Sequence, residues 1–283
     1  MPRLTTATSV RPVTGSAFVE IDHVSKTHLS KRGNVKALDD INIGIAQSEF
    51  LSVLGPSGCG KSTLLRCLAG LDRPTSGELR IGGDRIDGPP ENLGIVFQRD
   101  VLFDWRTVIE NVLLPAEIQG LPIREWASKA QLLLELLGLT GFENRHPWEL
   151  SGGMRQRVSI CRALIMAPTL LLIDEPFGAL DALTRDELNL ELQRVWLADA
   201  KTVFFVTHSI AEAIFLADRV MVMSPSPGRL VEVVTVELAR PRDLSVRETP
   251  EFNRYVRHIR TLFQDMGYMR GAVSQTRRDE LPG

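Results

Sequence analysis

What the chain has little of narrows its function before any motif is read. Its cysteines are Cys59, Cys67 and Cys161, an odd number without metal-ligand spacing. Neither a disulfide framework nor a zinc site follows, and a reducing cytoplasm is the compartment that fits. Excess charge is missing too: 33 basic residues face 35 acidic ones, for a net charge of −2. That balance speaks against a nucleic-acid or anionic-membrane binder, local patches aside. A bilayer-spanning helix takes about 20 apolar residues in a row. The richest run, Leu132 to Leu139, is broken by Glu135 and Gly138. A protein of this kind working at a membrane must dock on other subunits. Residues 1–16 carry no apolar segment and read as a disordered leader rather than a secretory signal. Internal repeats, low-complexity blocks and sustained heptads are absent.

What is present is a dense alternation of short apolar strands and helices, in 283 residues that are 43% hydrophobic. Phe50 to Leu54, Leu170 to Ile173, Thr202 to Val206 and Val220 to Met223 are apolar runs of strand length. Interleaved with helical stretches they predict an α/β core with a mostly parallel sheet. Tight-turn pairs at Ser76-Gly77 and Gly82-Gly83, with the alternation Val234, Val236, Leu238, predict an added antiparallel layer. Residues 99–164 read as a helical subdomain, with Trp126, Ala130, Leu133 and Leu137 at helical spacing and Gly138 as a stop. The main unit is thus expected over 17–240. After it, Arg240-Pro241-Arg242-Asp243 reads as a linker to an amphipathic helix capped by Thr249 and ended by Gly267. That helix is expected to pack on the domain's own surface, with docking or regulation as the alternative. The last dozen residues read as a disordered tail.

Gly55-Pro56-Ser57-Gly58-Cys59-Gly60-Lys61-Ser62-Thr63 matches the P-loop pattern, between an expected strand and an expected helix. Glycines let successive N–H groups turn inward on anionic oxygens, and the helix start adds its positive dipole end. Lys61 supplies a full charge to the β- and γ-phosphates, and the Ser62 hydroxyl can ligate Mg²⁺. Cys59, beside a helix N-terminus, is placed where a thiol pKa can fall, although a small space-filling residue is the plainer reading. Leu170 to Ile173 then delivers Asp174 and Glu175 to the sheet's C-terminal edge. Asp174 suits the metal, and Glu175 suits orienting or deprotonating an attacking water. His208 follows another strand, with Ser209 and Glu212 forming a capping-box signature. A γ-phosphate contact is within its reach. Gln98 ends the stretch Gly94 to Phe97, and its amide can meet Mg²⁺ or the water.

With these residues in place, the chain resembles the nucleotide-binding subunits of ABC transporters. Leu150-Ser151-Gly152-Gly153-Met154-Arg155-Gln156-Arg157 looks like their signature sequence, a helix start offering N–H groups to an anion. The order P-loop, Gln98, signature, Asp174-Glu175, Gly178-Ala179-Leu180-Asp181, His208 is complete, over roughly residues 18–238. The resemblance implies a P-loop ABC ATPase fold and the cofactors ATP and Mg²⁺. It also implies a head-to-tail homodimer, in which each P-loop faces the partner's Ser151-Gly152-Gly153 with Asp181 close by. Transmembrane permease subunits, and indirectly an external solute-binding protein, are the implied partners, placing the chain on the cytoplasmic face of the membrane. Such proteins place an aromatic residue to stack on adenine where this chain, after Val24-Ser25-Lys26-Thr27, has His28. Leu102-Phe103-Asp104-Trp105-Arg106 resembles the segment that receives a permease, with Asp104 where proline is expected. Phe97-Gln98, Trp105-Arg106-Thr107-Val108 and Met223-Ser224-Pro225-Ser226-Pro227-Gly228-Arg229-Leu230-Val231 resemble importers of nitrate, sulfonates and taurine. The alternatives fit less well. Translation factors with this cassette carry two of them, DNA-repair relatives carry coiled coil, and a small-molecule kinase leaves Ser151 to Arg157 unexplained.

Overall fold

The structure, a computed structural model, describes residues 17–29, 33–178 and 180–268. The expected leader and the expected tail lie outside them. In chain order come β1 (Val19–His28), β2 (Val35–Ile45), β3 (Phe50–Leu54), α1 (Lys61–Leu68), β4 (Ser76–Ile81), β5 (Asp84–Arg85) and β6 (Leu93–Val96). Three helices follow: α2 (Val108–Ile118), α3 (Ile123–Leu136) and α4 (Gly152–Leu164). The chain continues through β7 (Leu170–Asp174), α5 (Ala182–Ala198), β8 (Thr202–Thr207), α6 (Ile210–Leu216), β9 (Arg219–Met223), β10 (Leu230–Thr235) and α7 (Pro250–Asp265).

Six strands form the central sheet in the order β10-β9-β3-β8-β7-β6, and four form an antiparallel sheet, β2-β1-β4-β5. Pairing is parallel from β9 through β6, and only β10 runs antiparallel. The side-chain period of two divides the central strands between two cores. Phe50, Leu54, Leu171, Ile173, Val203 and Phe205 face the helices α2 to α7. Leu51, Val53, Leu170, Leu172, Phe204 and Val206 face α1 and the antiparallel sheet. With both faces covered, the strands read as unbroken apolar runs, and each large side chain buried this way contributes about 1.5–3 kcal/mol.

Two expectations change. Val234 lies in β10, on the edge of the central sheet rather than in the antiparallel layer. Alternation specifies one buried face but not which sheet supplies the cover; the short connection from β9 decides that. Nor is Arg240 to Asp243 a loose linker. The buried Arg242 guanidinium donates to the carbonyls of Ile214 (2.8 Å), Phe215 (2.9 Å), Ala217 (2.9 Å) and Leu238, satisfying the end of α6. Burial lowers its pKa to about 10. Beyond it, Thr249 caps α7, Pro250 opens it and Gly267 follows it at positive φ. Phe252, Tyr255, Ile259 and Phe263 of α7 are buried in the helix-side core, so this face packs on the protein itself.

Candidate functional site

The loop Gly55 to Gly60 leaves the C-terminal end of β3 and enters α1 at Lys61. Gly60 sets this turn: its φ is 107°, and a Cβ there would stand 2.6 Å from the Ala37 carbonyl oxygen. No bulkier residue fits without moving the backbone of β2. Lys61 is buried and donates to the carbonyls of Gly55 (2.9 Å) and Pro56 (3.0 Å). Its Nζ also stands 3.5 Å from Glu175 Oε1. Ser62 donates to Asp174 Oδ1 at 2.9 Å, although the two lie on different elements of the fold. Pro56 and Cys59 are buried, Ser57 and Gly58 exposed, and Thr63 half-buried on α1. The Cys59 thiol is pushed up in pKa by burial, with Lys61 opposing. This agrees with the plainer, space-filling reading of Cys59, because desolvation outweighs the helix start.

Across the loop, β7 ends in Asp174, whose carboxyl is raised in pKa chiefly by burial, the Ser62 hydrogen bond opposing. Glu175 follows at φ 42°, unusual for a residue with a side chain, while its N–H donates to Val206 O at 2.9 Å. The strained backbone turns the carboxylate back toward Lys61 and His208, a cost that such sites commonly carry. His208 Nδ1 lies 3.2 Å from Glu175 Oε2. Lys61, Ser62, Asp174, Glu175 and His208 thus form one cluster at the C-terminal edge of the parallel sheet. A buried ammonium, a hydroxyl–carboxylate pair and an imidazole–carboxylate pair can together bind phosphate, hold a hard cation and manage a proton.

The other expected residues stand apart. Ser151 caps α4, its Oγ accepting from Met154 N at 3.3 Å. Asp181 caps α5, accepting from Thr184 N (3.0 Å) and the Thr184 hydroxyl (2.7 Å), bonds that lower its pKa. The two caps touch: a Cβ on Gly153 would meet Thr184 Cγ2 at 2.6 Å, and one on Gly152 would meet Leu180 Cδ2 at 3.7 Å. Among the described residues no hydrogen bond or ion pair joins Ser151, Gly152 or Gly153 to the Lys61 cluster. Gln98 is exposed beyond β6, and His28 is exposed at the end of β1 opposite Val35. Neither side chain makes a hydrogen bond among the described residues. Trp105 is 73% exposed and stacks on Phe103 at 4.8 Å between ring centres.

Two arrangements escape the sequence. Arg155 donates to Asp100 Oδ2 at 2.8 Å, and Arg162 to the carbonyls of Asp100 and Val101, both at 2.8 Å. The segment after Gln98 is thereby held on α4; two arginines seven apart on one helix are the only hint of it. The Ser209–Glu212 box is only half made. Ser209 Oγ accepts from Glu212 N at 3.3 Å, but the Glu212 carboxylate turns inward to Thr207 and Arg185.

Strand, glycine loop, helix and paired carboxylates define a P-loop nucleotide hydrolase, and Ser151-Gly152-Gly153 at a helix start narrows that class. The ABC transporter family profile matches residues 38–178. An uncharacterized ABC transporter ATP-binding protein of Methanocaldococcus jannaschii is 46% identical over 87% of this chain and 91% of its own length. A taurine import ATP-binding protein of Rhizobium johnstonii is 42% identical over 90% of this chain and all of its own. An aliphatic sulfonates import ATP-binding protein of Bacillus cereus is 42% identical over 84% and 94%. A dimeric ATP-binding cassette solved in a post-hydrolysis state with ADP and Pi superposes with a TM-score of 0.68, at 32% identity, over 78% of this chain and all of that one. The chain belongs to the ABC transporter family. It is an ATP-binding ATPase of the ABC cassette fold, and no helix among its described residues is long and apolar enough to cross a membrane.

Proposed function

We propose that this chain is the ATPase subunit of an importer, driving uptake of a small anion such as nitrate, a sulfonate or taurine through separate permease subunits. Support for the substrate class is the import relatives at 42% identity over most of the chain. The unit is 17–240, its helical part about 99–164, working at the cytoplasmic face of the membrane. Leu102 to Arg106 meets the permease there, and a solute-binding protein outside delivers the solute.

The observation carrying the mechanism is the Lys61–Glu175–His208 and Ser62–Asp174 cluster. Lys61, held now by two loop carbonyls, turns to the β- and γ-phosphates while the N–H groups of Gly55 to Thr63 cradle them. The donors Ser62 Oγ and Asp174 Oδ1, one hydroxyl and one partly desolvated carboxylate, fit a hard oxygen-seeking cation, with Gln98 as a further oxygen. When bound, Mg²⁺ supplies charge neutralisation on the phosphates. Glu175 orients the attacking water and accepts its proton, and His208 steadies Glu175 and the γ-phosphate. His28 lies against the base. The N–H groups of Ser151-Gly152-Gly153, with Asp181 beside them, serve the ATP of a second copy, so two chains close two sites. The dimeric cassette relative supports this reading. Hydrolysis then opens the dimer, because its affinity for the closed state differs between ATP and ADP.

ATPase assays on the full chain with its permease, reconstituted in vesicles, test the reading. Taurine, sulfonate or nitrate uptake should follow ATP and vanish in Lys61→Ala. ATPase activity without co-purification of any polytopic partner would favour a free-standing ATPase instead.

A further inference from the structure

Glu212 is a carboxylate that neither phosphate binding nor hydrolysis uses. Its side chain is 7% exposed, in a place where a cap alone needs no charge, since Ser209 Oγ already accepts from Glu212 N. A buried carboxylate is retained at a cost unless it is paired. Burial accordingly pushes the Glu212 carboxyl up in pKa, with Thr207 and Arg185 opposing.

Its two oxygens face two different elements, the end of β8 and the first turn of α5. Oε2 accepts from the Thr207 hydroxyl at 2.6 Å, and that hydroxyl in turn accepts from Ser209 N at 3.0 Å. Thr207 and Ser209 flank His208, so the carboxylate fixes the turn that presents the imidazole. Oε1 stands 3.5 Å from Arg185 Nε, an ion pair still too long for a hydrogen bond. Arg185 Nε is buried and has no hydrogen-bond partner among the described residues. The same guanidinium donates from Nη2 to Leu180 O at 2.9 Å, one residue before Asp181. Gly178, at the start of that loop, lies against His208: a Cβ there would be 3.8 Å from His208 Cε1. The connection therefore runs from Leu180 O through Arg185 and Glu212 to Thr207 and His208, with one link left open.

We infer that Glu212 is a positioning residue: through Arg185 and Thr207 it couples the loop carrying Asp181 to the turn carrying His208. Closing the open Arg185–Glu212 link would draw the two loops into one rigid arrangement when Asp181 meets the second copy. This rests on the proposed roles of His208 and Asp181. Glu212 acts on turnover through His208 and touches no phosphate.

The test is steady-state ATPase of the full chain beside its thermal melting point. Glu212→Leu should lower kcat about tenfold, with KM within about twofold, since it leaves the phosphate cradle intact. That variant also leaves the buried Arg185 Nε without its carboxylate, so Arg185→Met/Glu212→Leu is the deciding one. It should regain the melting point while kcat stays low. If kcat returns together with the melting point, Glu212 is structural only and the inference falls. Should the double variant fail to fold, Glu212→Gln decides. It keeps volume and an acceptor for Thr207, and should melt like the parent with depressed kcat; parental kcat would overturn the inference. His208→Ala separates the two levels. If it leaves turnover intact, the proposed role of His208 fails; if it is inactive while the Glu212 variants are normal, the inference alone fails.

Discussion

The cluster at the sheet edge and the start of α4 each sit at a helix N-terminus, and the protein holds them in opposite ways. At the edge every charged group is already engaged: Lys61 with two carbonyls and Glu175, Ser62 with Asp174, His208 with Glu175. At the starts of α4 and α5, Ser151 and Asp181 bond, among the described residues, only within their own first turns. The first site is assembled within one chain. The second is a pair of capped helix starts whose bonds stay local. Preorganised charge suits catalysis, and an exposed cap suits closure by a partner.

Substitutions should therefore behave differently in the two regions. Lys61→Ala should cost the most, about a hundredfold or more in ATPase rate, because it deletes the buried cation of the cluster proposed to hold phosphate. Residual activity near the parent's would break the contrast at once. Ser151→Arg should leave nucleotide binding by the single chain within about twofold while lowering turnover about tenfold or more, since it blocks only the partner-facing helix start. Equal losses of binding and turnover would mean that Ser151 serves its own chain's nucleotide.

The two regions were also unequally legible. The placement of Gly55 to Thr63 between β3 and α1 could be read because its geometry is local: glycines, a turn and a helix start are set by neighbours in the chain. The carboxylates Asp174 and Glu175 could be read from one apolar strand. What the sequence withheld are contacts that depend on strand order. Ser62 meets Asp174 only because β3, β8 and β7 lie side by side. For the same reason β10 was expected in the wrong sheet. The Arg155 and Arg162 clamp on Asp100 and Val101, and the inward turn of Glu212, depend on how helices pack, which periodicity does not specify.

Smaller effects sharpen the contrast further. Asp100→Ala breaks one ion pair of the clamp behind Gln98 and should cost about 0.5–1.5 kcal/mol in denaturant unfolding, with ATP binding unchanged. The smallest effect is a pH dependence. Burial raises the Asp174 pKa, so in the metal-free folded chain this carboxyl holds its proton to higher pH than in the unfolded one. Its contribution to stability is therefore greatest at acid pH and declines as pH rises through its folded value. The stability of Asp174→Asn relative to the parent should improve over that interval, and a parallel pair of curves would contradict the assigned burial cost.

Sedimentation of Glu175→Gln, with and without Mg-ATP, tests the central claim most directly. If two copies trap ATP between one chain's glycine loop and the other's Ser151-Gly152-Gly153, this variant should bind ATP, fail to hydrolyse it and sediment as a dimer only when the nucleotide is present. Adding Ser151→Arg should return it to a monomer that still binds ATP. A Glu175→Gln chain that remains monomeric at saturating Mg-ATP, or a dimer indifferent to Ser151→Arg, would contradict the account.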